Sequence, residues 1–476
     1  MITFSIENFG CRATDADAAS IRRQLLARGL TLKGEHSDAE IVVLNTCTVT
    51  AAADSQAREA VRKIHRANPN ARIVVAGCYA QRAPEEIAAI PGVSCVVGNS
   101  HQSHIPAVVL GLTEPPASAP TLEQSRDIIP LAQLDGDSMS LTRGPVKILT
   151  GDIFAQYMTL DAAGAPATND HTRPILKIQD GCNNRCSYCV IPFVRGRSRS
   201  LAPDAVLESV RTFVSQGAKE IVLSGINLGS YGRDLLPRAD LAAVVRRILA
   251  ETDLEQLRFS SIEPQDVTED FIALVASSNR IAPHFHVPLQ SGSDRILRAM
   301  HRWYRAEHYA ERVMLTRRML PHAGIGADVI VGFPGETPED FTATVQLVER
   351  LPFTYLHVFS FSQRPGTQAQ NLDAAVPAAV VRERARTLRA IAQGKATAFR
   401  TSLAGRTVRV LTLKHSGDNW TEALTGNYVK LRIAGRHAAN QWLRVCVSRS
   451  SAGLTELAPA PNAAASSESI LENHLG

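Results

Sequence analysis

Residues 175–189 read Ile175-Leu176-Lys177-Ile178-Gln179-Asp180-Gly181-Cys182-Asn183-Asn184-Arg185-Cys186-Ser187-Tyr188-Cys189. An alternating, strand-like run stops at Asp180-Gly181 and delivers three cysteines spaced C-x₃-C-x₂-C. Three thiolates can hold three corners of a cubic [4Fe–4S] cluster and leave its fourth iron open. S-adenosylmethionine (SAM) can chelate such an iron through its amino and carboxylate groups, and an electron from the cluster then splits the sulfonium bond. The competing reading is a structural zinc site, which takes four ligands from paired short spacings. No second C-x₂-C or C-x-H lies nearby to complete one.

Working outward, Ile175 opens an alternating series. Strand-like Ile175–Ile178, Glu220–Leu223, Leu257–Ser260, Phe285–Val287, Ile325–Val331 and Tyr355–Phe361 are interleaved with helical stretches. Those stretches are Ala205–Gln216, Leu241–Glu251, Asp266–Ser277, Ala306–Leu320 and Pro338–Leu351. About six βα units in one run predict a full or partial (β/α) barrel, with ligands at the C-terminal ends of its strands. The cysteine triplet sits at such an end.

Upstream, Ile2–Glu7, Ile41–Leu44 and Ile73–Ala76 read as strands, with helical stretches Asp15–Arg28 and Ala51–Ala67 between them. This is an open α/β sheet. Cys11, Cys47 and Cys78 each follow a strand, and the carboxyl ends of parallel strands share one edge where ligands bind. Three cysteines distant in sequence can meet there; packed core thiols are the alternative. From 113 to 172 the pattern dissolves into a breaker-rich linker, with strand character only near Val146–Leu149.

Downstream, Thr407–Thr412 and Tyr428–Ile433 alternate like the strands of a small β-barrel. Lys395, Arg400, Arg406, Arg409, Lys414, Lys430, Arg432, Arg436, Arg444 and Arg449 are opposed there only by Asp418 and Glu422. A positive β surface with exposed aromatics such as Trp420 or Tyr428 suits phosphate contacts and base stacking; an ordinary solvated basic face is the bland alternative. Residues 451–476 are expected to be a disordered tail. The division expected is therefore 1–112, 113–172, 173–394, 395–450 and 451–476, in an α/β chain with a terminal β-barrel.

The whole chain has 476 residues, 51 Lys and Arg against 46 Asp and Glu, and a net charge of +5, too small an excess to name a partner. No apolar run is long enough to cross a bilayer, and Met1–Glu7 lacks the pattern of a signal peptide. A cytoplasmic protein with reduced cysteines is expected.

The motifs around both triplets resemble those of the radical-SAM methylthiotransferases. The central ones are Ile178-Gln179-Asp180-Gly181, Arg195-Gly196-Arg197-Ser198-Arg199, Leu223-Ser224-Gly225-Ile226-Asn227, Ser261-Ile262-Glu263-Pro264, His286-Val287-Pro288-Leu289-Gln290-Ser291-Gly292 and Gly332-Phe333-Pro334-Gly335-Glu336-Thr337. The N-terminal ones are Gly10-Cys11, Asn45-Thr46-Cys47-Thr48-Val49-Thr50 and Gly77-Cys78-Tyr79-Ala80-Gln81. The basic segment is similar to a TRAM domain, an RNA-binding module of tRNA-modifying enzymes.

The resemblance implies two [4Fe–4S] clusters, one on Cys182, Cys186 and Cys189 and an auxiliary, sulfur-carrying one on Cys11, Cys47 and Cys78. Gly225, Asn227, Glu263, Gln290 and Gly292 are the candidate contacts to SAM or substrate, and no residue is assigned as an acid–base catalyst. It further implies that one SAM methylates the sulfur, while another supplies the radical that removes hydrogen from adenine carbon 2. Two departures, Thr14 where the family often has Asn and Ala19 in place of a Glu, touch local hydrogen bonds near Cys11.

Among branches, Asn45–Thr50, Ala57–Lys63, Gly77–Gln81 and Leu424–Val429 most resemble the enzymes acting on threonylcarbamoyl-adenosine beside the tRNA anticodon. Arg195, Arg197 and Arg199 are then candidates to read its carboxylate. The isopentenyl-adenosine branch is the alternative within the family, and a non-catalytic iron–sulfur RNA-binding protein the alternative outside it. Neither the electron donor nor the sulfur source is written in the sequence.

Overall fold

Residues 2–112, 146–155, 172–448 and 456–459 are described by the computed structural model of the chain. The first unit carries strands β1 (Thr3–Asn8), β2 (Thr31–Leu32), β3 (Ile41–Thr46), β4 (Arg72–Gly77), β5 (Val93–Gly98) and β6 (Lys147–Leu149). They form one parallel sheet in the order β2-β1-β3-β4-β5-β6. Ile41, Val42, Val43 and Leu44 are completely buried, because helices cover both faces of a parallel sheet. Each such side chain contributes roughly 1.5–3 kcal/mol of burial. Helix α1 (Arg12–Ala27) covers one face and α2 (Ala51–Ala67) the other, the latter capped by Thr50, whose hydroxyl accepts from the Ala53 amide at 3.2 Å.

The second unit contains β7 (Ile175–Asp180), β8 (Arg199–Ser200), β9 (Glu220–Gly225), β10 (Gln256–Phe259), β11 (His284–His286), β12 (Gly324–Val331) and β13 (Tyr355–Ser360). The ladders β10-β9-β7-β8 and β11-β12-β13 are joined by bridges Leu257–Ile281 and Ser261–His286. The result is an arc of parallel strands β7-β9-β10-β11-β12-β13, with β8 antiparallel at its edge. The barrel is therefore partial. Among the described residues no strand joins β7 to β13. Helix α1 of the first unit lies against β7, its Asp17 carboxylate paired with Lys177 on that strand.

The third unit is a closed barrel in the order β14-β15-β16-β18-β17, from β14 (Thr407–Gly417), β15 (Trp420–Thr425), β16 (Lys430–Ala434), β17 (Trp442–Val447) and β18 (Glu456–Pro459). Its core holds Leu403, Val410, Ala423, Val429, Leu431, Ile433, Val445 and Val447.

Three of the expected boundaries need correction. The 113–172 segment is not only a linker, since β6 pairs with β5 and extends the first sheet; residues 113–145 and 156–171 lie outside the described residues. The tail expected from 451 supplies β18, which closes the last barrel between β16 and β17; residues 460–476 lie outside the described residues. The 394/395 boundary falls inside the helix Ala378–Thr401, so Lys395 and Arg400 are helical and lie outside the β-barrel.

Candidate functional site

Gly181 ends β7 with φ +70, and any side chain there would be driven into the Arg197 carbonyl. That close approach turns the chain into the cysteine loop. The Cys182 amide donates to Gly196 O at 3.1 Å, and Ser187 ties the loop's far side to Ala299 and Met300. Arg302 reaches Cys186 Sγ with Nη1 at 3.3 Å while its Nη2 is paired with Glu263. Burial, with Cys186 adding to it, pushes the Cys189 thiol up to about 12. Burial likewise raises Cys182. Thiols so placed stay protonated until a metal centre takes the proton's place.

The second triplet is assembled by sheet register. Asn8 pairs with Asn45 and Thr46 with Gly77, so the adjacent strands β1, β3 and β4 end together and hand over Cys11, Cys47 and Cys78. A Cβ on Gly10 would lie 2.7 Å from Cys47 Cβ, which shows how closely the Cys11 segment passes that residue. Burial first, then Cys78 and Cys11, pushes Cys47 up to about 12. Asn99 Nδ2 donates to Cys78 Sγ at 3.3 Å and to Val194 O, on the second unit, at 2.7 Å. Thr14, where the family often has Asn, is buried and donates its hydroxyl to Cys11 O at 2.7 Å.

Each triplet thus converges, with amide or guanidinium N–H groups aimed at its sulfurs. The one group of His, Cys, Asp or Glu ligands close enough for a single ion, among the described residues, is His286, Asp328 and His357. Sulfurs spread around a cube are farther apart than the ligands of one ion, so the donor sets fit clusters better than zinc. Cys95 is a packed thiol in the first core, raised to about 11 by burial. Cys446 is exposed on β17.

A buried ionic seam joins the two centres. Arg195 pairs with Asp17 at 2.9 Å and with Asp180 at 3.1 Å, and Lys177 bridges the same two carboxylates. Arg195 is therefore not a free reader of substrate charge, which corrects the expectation from sequence. Arg199 lies close enough to Asp180 to help hold its charge, and Arg197 is exposed. Farther along the seam, Asp54 takes Arg82 at 2.9 Å from its own unit and Arg364 from the arc.

The five candidate SAM or substrate contacts separate. Asn227 stands at the C-terminal end of the arc with Nδ2 4.0 Å from Cys182 Sγ, and its buried Oδ1 has no hydrogen-bond partner. Glu263 faces the triplet through Arg302, and burial raises its carboxyl. Gln290 adopts φ +67 in the loop after β11. Gly225 leaves room for the Gln179 side chain, whose Oε1 accepts from the Asn227 amide at 2.8 Å. Gly292 packs against the backbone of Ala343 and Thr344, so helix packing explains that glycine, rather than a ligand.

Polar side chains line the concave side of the arc. His284 Nε2, Tyr355 Oη, His286, Asp328 Oδ1 and His357 Nδ1 form a chain with spacings of 2.9, 3.0, 3.0 and 3.2 Å. Sequence reasoning missed this chain, as it missed Asn99 and Arg302, because the partners each side chain meets come from separate strands or loops. The single clue was period-two alternation, which sets His284, His286, Tyr355 and His357 on one face of their strands.

On the β-barrel, Arg432 lies over Trp420 at 4.3 Å and Arg409 over Trp442 at 3.9 Å. Trp420 is therefore half-covered. Tyr428 is no exposed platform either: the β15–β16 turn inserts into the arc, where Tyr428 stacks on His284 at 4.3 Å.

Family models match two parts of the chain: "Uncharacterized protein family UPF0004" at residues 3–98 and "Radical SAM superfamily" at residues 176–348. The threonylcarbamoyladenosine tRNA methylthiotransferase MtaB of Aquifex aeolicus is 33% identical over 443 residues, 93% of this chain and 99% of that protein. The tRNA-2-methylthio-N(6)-dimethylallyladenosine synthase of Thermobifida fusca is also 33% identical, over 94% of this chain and 83% of that protein. The radical SAM methyltransferase TsrM of Kitasatospora setae superposes with TM-score 0.51 at 18% identity, covering 78% of this chain and 77% of that one, a likeness of fold alone.

Proposed function

Since this chain belongs to the radical-SAM methylthiotransferases, enzymes that use SAM and two iron–sulfur clusters, we propose that it converts N6-threonylcarbamoyladenosine beside the tRNA anticodon to the 2-methylthio nucleoside. The observation that carries the reading is the pair of cysteine triplets on either side of one buried seam, with Asn99 and Arg195 reaching from one to the other. When bound, the clusters supply the electron that cleaves SAM and the sulfur that is transferred.

The chain's own residues position. Cys182, Cys186 and Cys189 hold the SAM-cleaving cluster, with Arg302 and Asn227 donating to its thiolates. Cys11, Cys47 and Cys78 hold the auxiliary one, steadied by Asn99. Asn227 offers its unpartnered buried amide oxygen to SAM, and Glu263 and Gln290 line the same rim. The ionic seam Asp17–Arg195–Asp180–Lys177 fixes the distance between the two centres. The basic β-barrel grips tRNA phosphates, and the exposed rings of Trp303 and Phe193, beside Arg302 and the triplet loop, stack on unpaired anticodon-loop bases.

The hydrogen-bonded chain His284–Tyr355–His286–Asp328–His357 gives the arc a polar inner face, which favours a threonylcarbamoyl group over an isopentenyl one. Unpaired buried charge penalises the apolar substrate strongly. The test is methylthiolation of two otherwise matched tRNAs, one threonylcarbamoylated and one isopentenylated. Faster reaction of the isopentenylated tRNA would overturn this choice and leave the methylthiotransferase itself standing.

A further inference from the structure

The side chain of Arg12, the residue after Cys11, turns away from the sheet and into the arc. Its Nη2 donates to Tyr428 Oη at 3.1 Å, and its guanidinium lies 5.8 Å from that ring. No ion pair joins it to a carboxylate among the described residues. Arg258 lies 5.4 Å from the centre of the same ring and Arg173 stands close by, yet those two share the single carboxylate of Glu220, at 2.7 and 3.3 Å. Around Tyr428, three guanidiniums thus gather with one carboxylate, which is paired to two of them; Arg258 is buried, and Arg12 and Arg173 are half-buried. Buried charge is costly unless paired. The imbalance marks a site for an anion.

Two further observations point to the same place. Tyr428 holds φ +70, a conformation unfavourable for a bulky side chain, and Arg258 locks that turn by donating to Thr425 O at 3.2 Å and Gly426 O at 2.8 Å. Such strain persists where surroundings over-determine it and a side chain has work to do. The cations also dominate the local field. Burial pushes the Tyr428 phenol up, but Arg12, Arg173 and Arg258 more than reverse it; burial and the same arginines hold His284 neutral.

We propose that Arg12, Arg173, Arg258 and the Tyr428 hydroxyl form an anion site inside the arc that takes the carboxylate of the substrate nucleoside, an inference that rests on the threonylcarbamoyl substrate proposed above. Arg12 spends one N–H on a neutral hydroxyl and keeps the rest of its planar fork, which matches a carboxylate bidentately. The place suits the reaction. Arg12 follows a candidate ligand of the auxiliary cluster, so an adenosine anchored by its N6 appendage presents its ring beside that cluster. The site draws on all three units, Arg12 from the first, Arg173 and Arg258 from the arc and Tyr428 from the β-barrel.

The test uses full-length, cluster-loaded enzyme and two tRNAs, one with the free threonylcarbamoyl acid and one with its methyl ester, which keeps shape and removes charge. Wild type should favour the acid by roughly tenfold to a hundredfold in kcat/KM, the range expected for a charge-assisted hydrogen bond. In R12M that acid-to-ester ratio should collapse towards one, and R12K should restore part of it. A ratio unchanged in R12M overturns the site. That result would also follow if a backbone phosphate or the carboxylate of SAM sat there, because neither senses the ester. Equal loss on both tRNAs, as from mere misfolding, leaves the ratio intact and likewise counts against the proposal. Failure of wild type to use the threonylcarbamoylated acid at all, with turnover of isopentenylated tRNA, is the distinct signature of a wrong substrate and removes the site with it.

Discussion

Arg195, the last residue of the short helix Ile191–Arg195 that follows the central cysteines, and Asp17, on helix α1 of the first unit, form a 2.9 Å ion pair with 1% and 2% of their side chains exposed. Both cysteine centres are therefore held by one electrostatic joint.

Breaking that joint should be costly. Asp17→Asn leaves Arg195 and Lys177 to share Asp180, and loss of one partner of a buried pair costs roughly 3–5 kcal/mol. A lower denaturant midpoint for the first transition of the cluster-loaded protein is the expected outcome. A midpoint matching wild type would show that the seam carries no such energy.

The same seam sets an acid limit. Burial alone would raise the Asp180 carboxyl, but Arg195, Lys177 and Arg199 outweigh it and hold it well below the ordinary range. A carboxyl depressed in the folded state contributes stability that is fully present above its unfolded value, about 3.9, and lost as pH falls below it. Asp180→Asn should thus lower stability at neutral pH and flatten its decline between about pH 5 and pH 2. Parallel stability–pH curves for mutant and wild type would contradict this.

Metal content separates the two triplets. Anaerobically reconstituted enzyme should carry about eight irons, as two cubic clusters. Replacing Cys182, Cys186 and Cys189 together by Ala should halve the iron and abolish SAM cleavage. Replacing Cys11, Cys47 and Cys78 should halve the iron, retain SAM cleavage and end methylthiolation. SAM cleavage surviving in the first triple variant would refute the assignment.

For RNA binding, truncating the β-barrel is a poor probe, because its β15–β16 turn is bonded into the arc through Arg258. Charge removal at Lys414, Arg432 and Arg444 is cleaner. The triple Gln variant should bind tRNA more weakly and lower the salt slope by up to about one for each phosphate no longer neutralised. Identical slopes would deny the barrel its proposed role.

Trp303 is 79% exposed and Phe193 47% exposed, beside the central triplet. Trp303→Ala should weaken tRNA binding by about tenfold, in line with roughly 1–3 kcal/mol per stacked base, while the unfolding midpoint stays put. Unchanged tRNA affinity would leave that ring without the stacking role.

Much of this was legible in the order of residues. Strand and helix periods revealed the βα series, and Leu241–Glu251 is a helix with the ends expected of it. The cysteine spacing and the strand ends placed the thiols just beyond strand ends, with Cys78 opening the short helix Cys78–Arg82 directly after β4. What escaped is what three-dimensional closure decides. The short strand β18 carries too few residues to show a period, and only its partners β16 and β17 make it a strand. Arg195 looked like a free cation beside the triplet because its two acidic partners, Asp17 and Asp180, are separated by 163 positions of chain numbering. Arg12 carried no signal beyond its place after Cys11; its meaning comes from Tyr428, 416 residues away.

The inserted β15–β16 turn also limits how such enzymes can be rebuilt. An RNA-binding appendage on a tether could be exchanged like a cartridge, retargeting the catalyst without touching its chemistry. Here the appendage supplies part of the inner wall of the arc, where Tyr428 stacks on His284, and Asn427 Nδ2 fastens it to His322 O at 3.0 Å. A chimaera given a foreign barrel would inherit a foreign wall, so residues 12, 258 and 428 have to travel together.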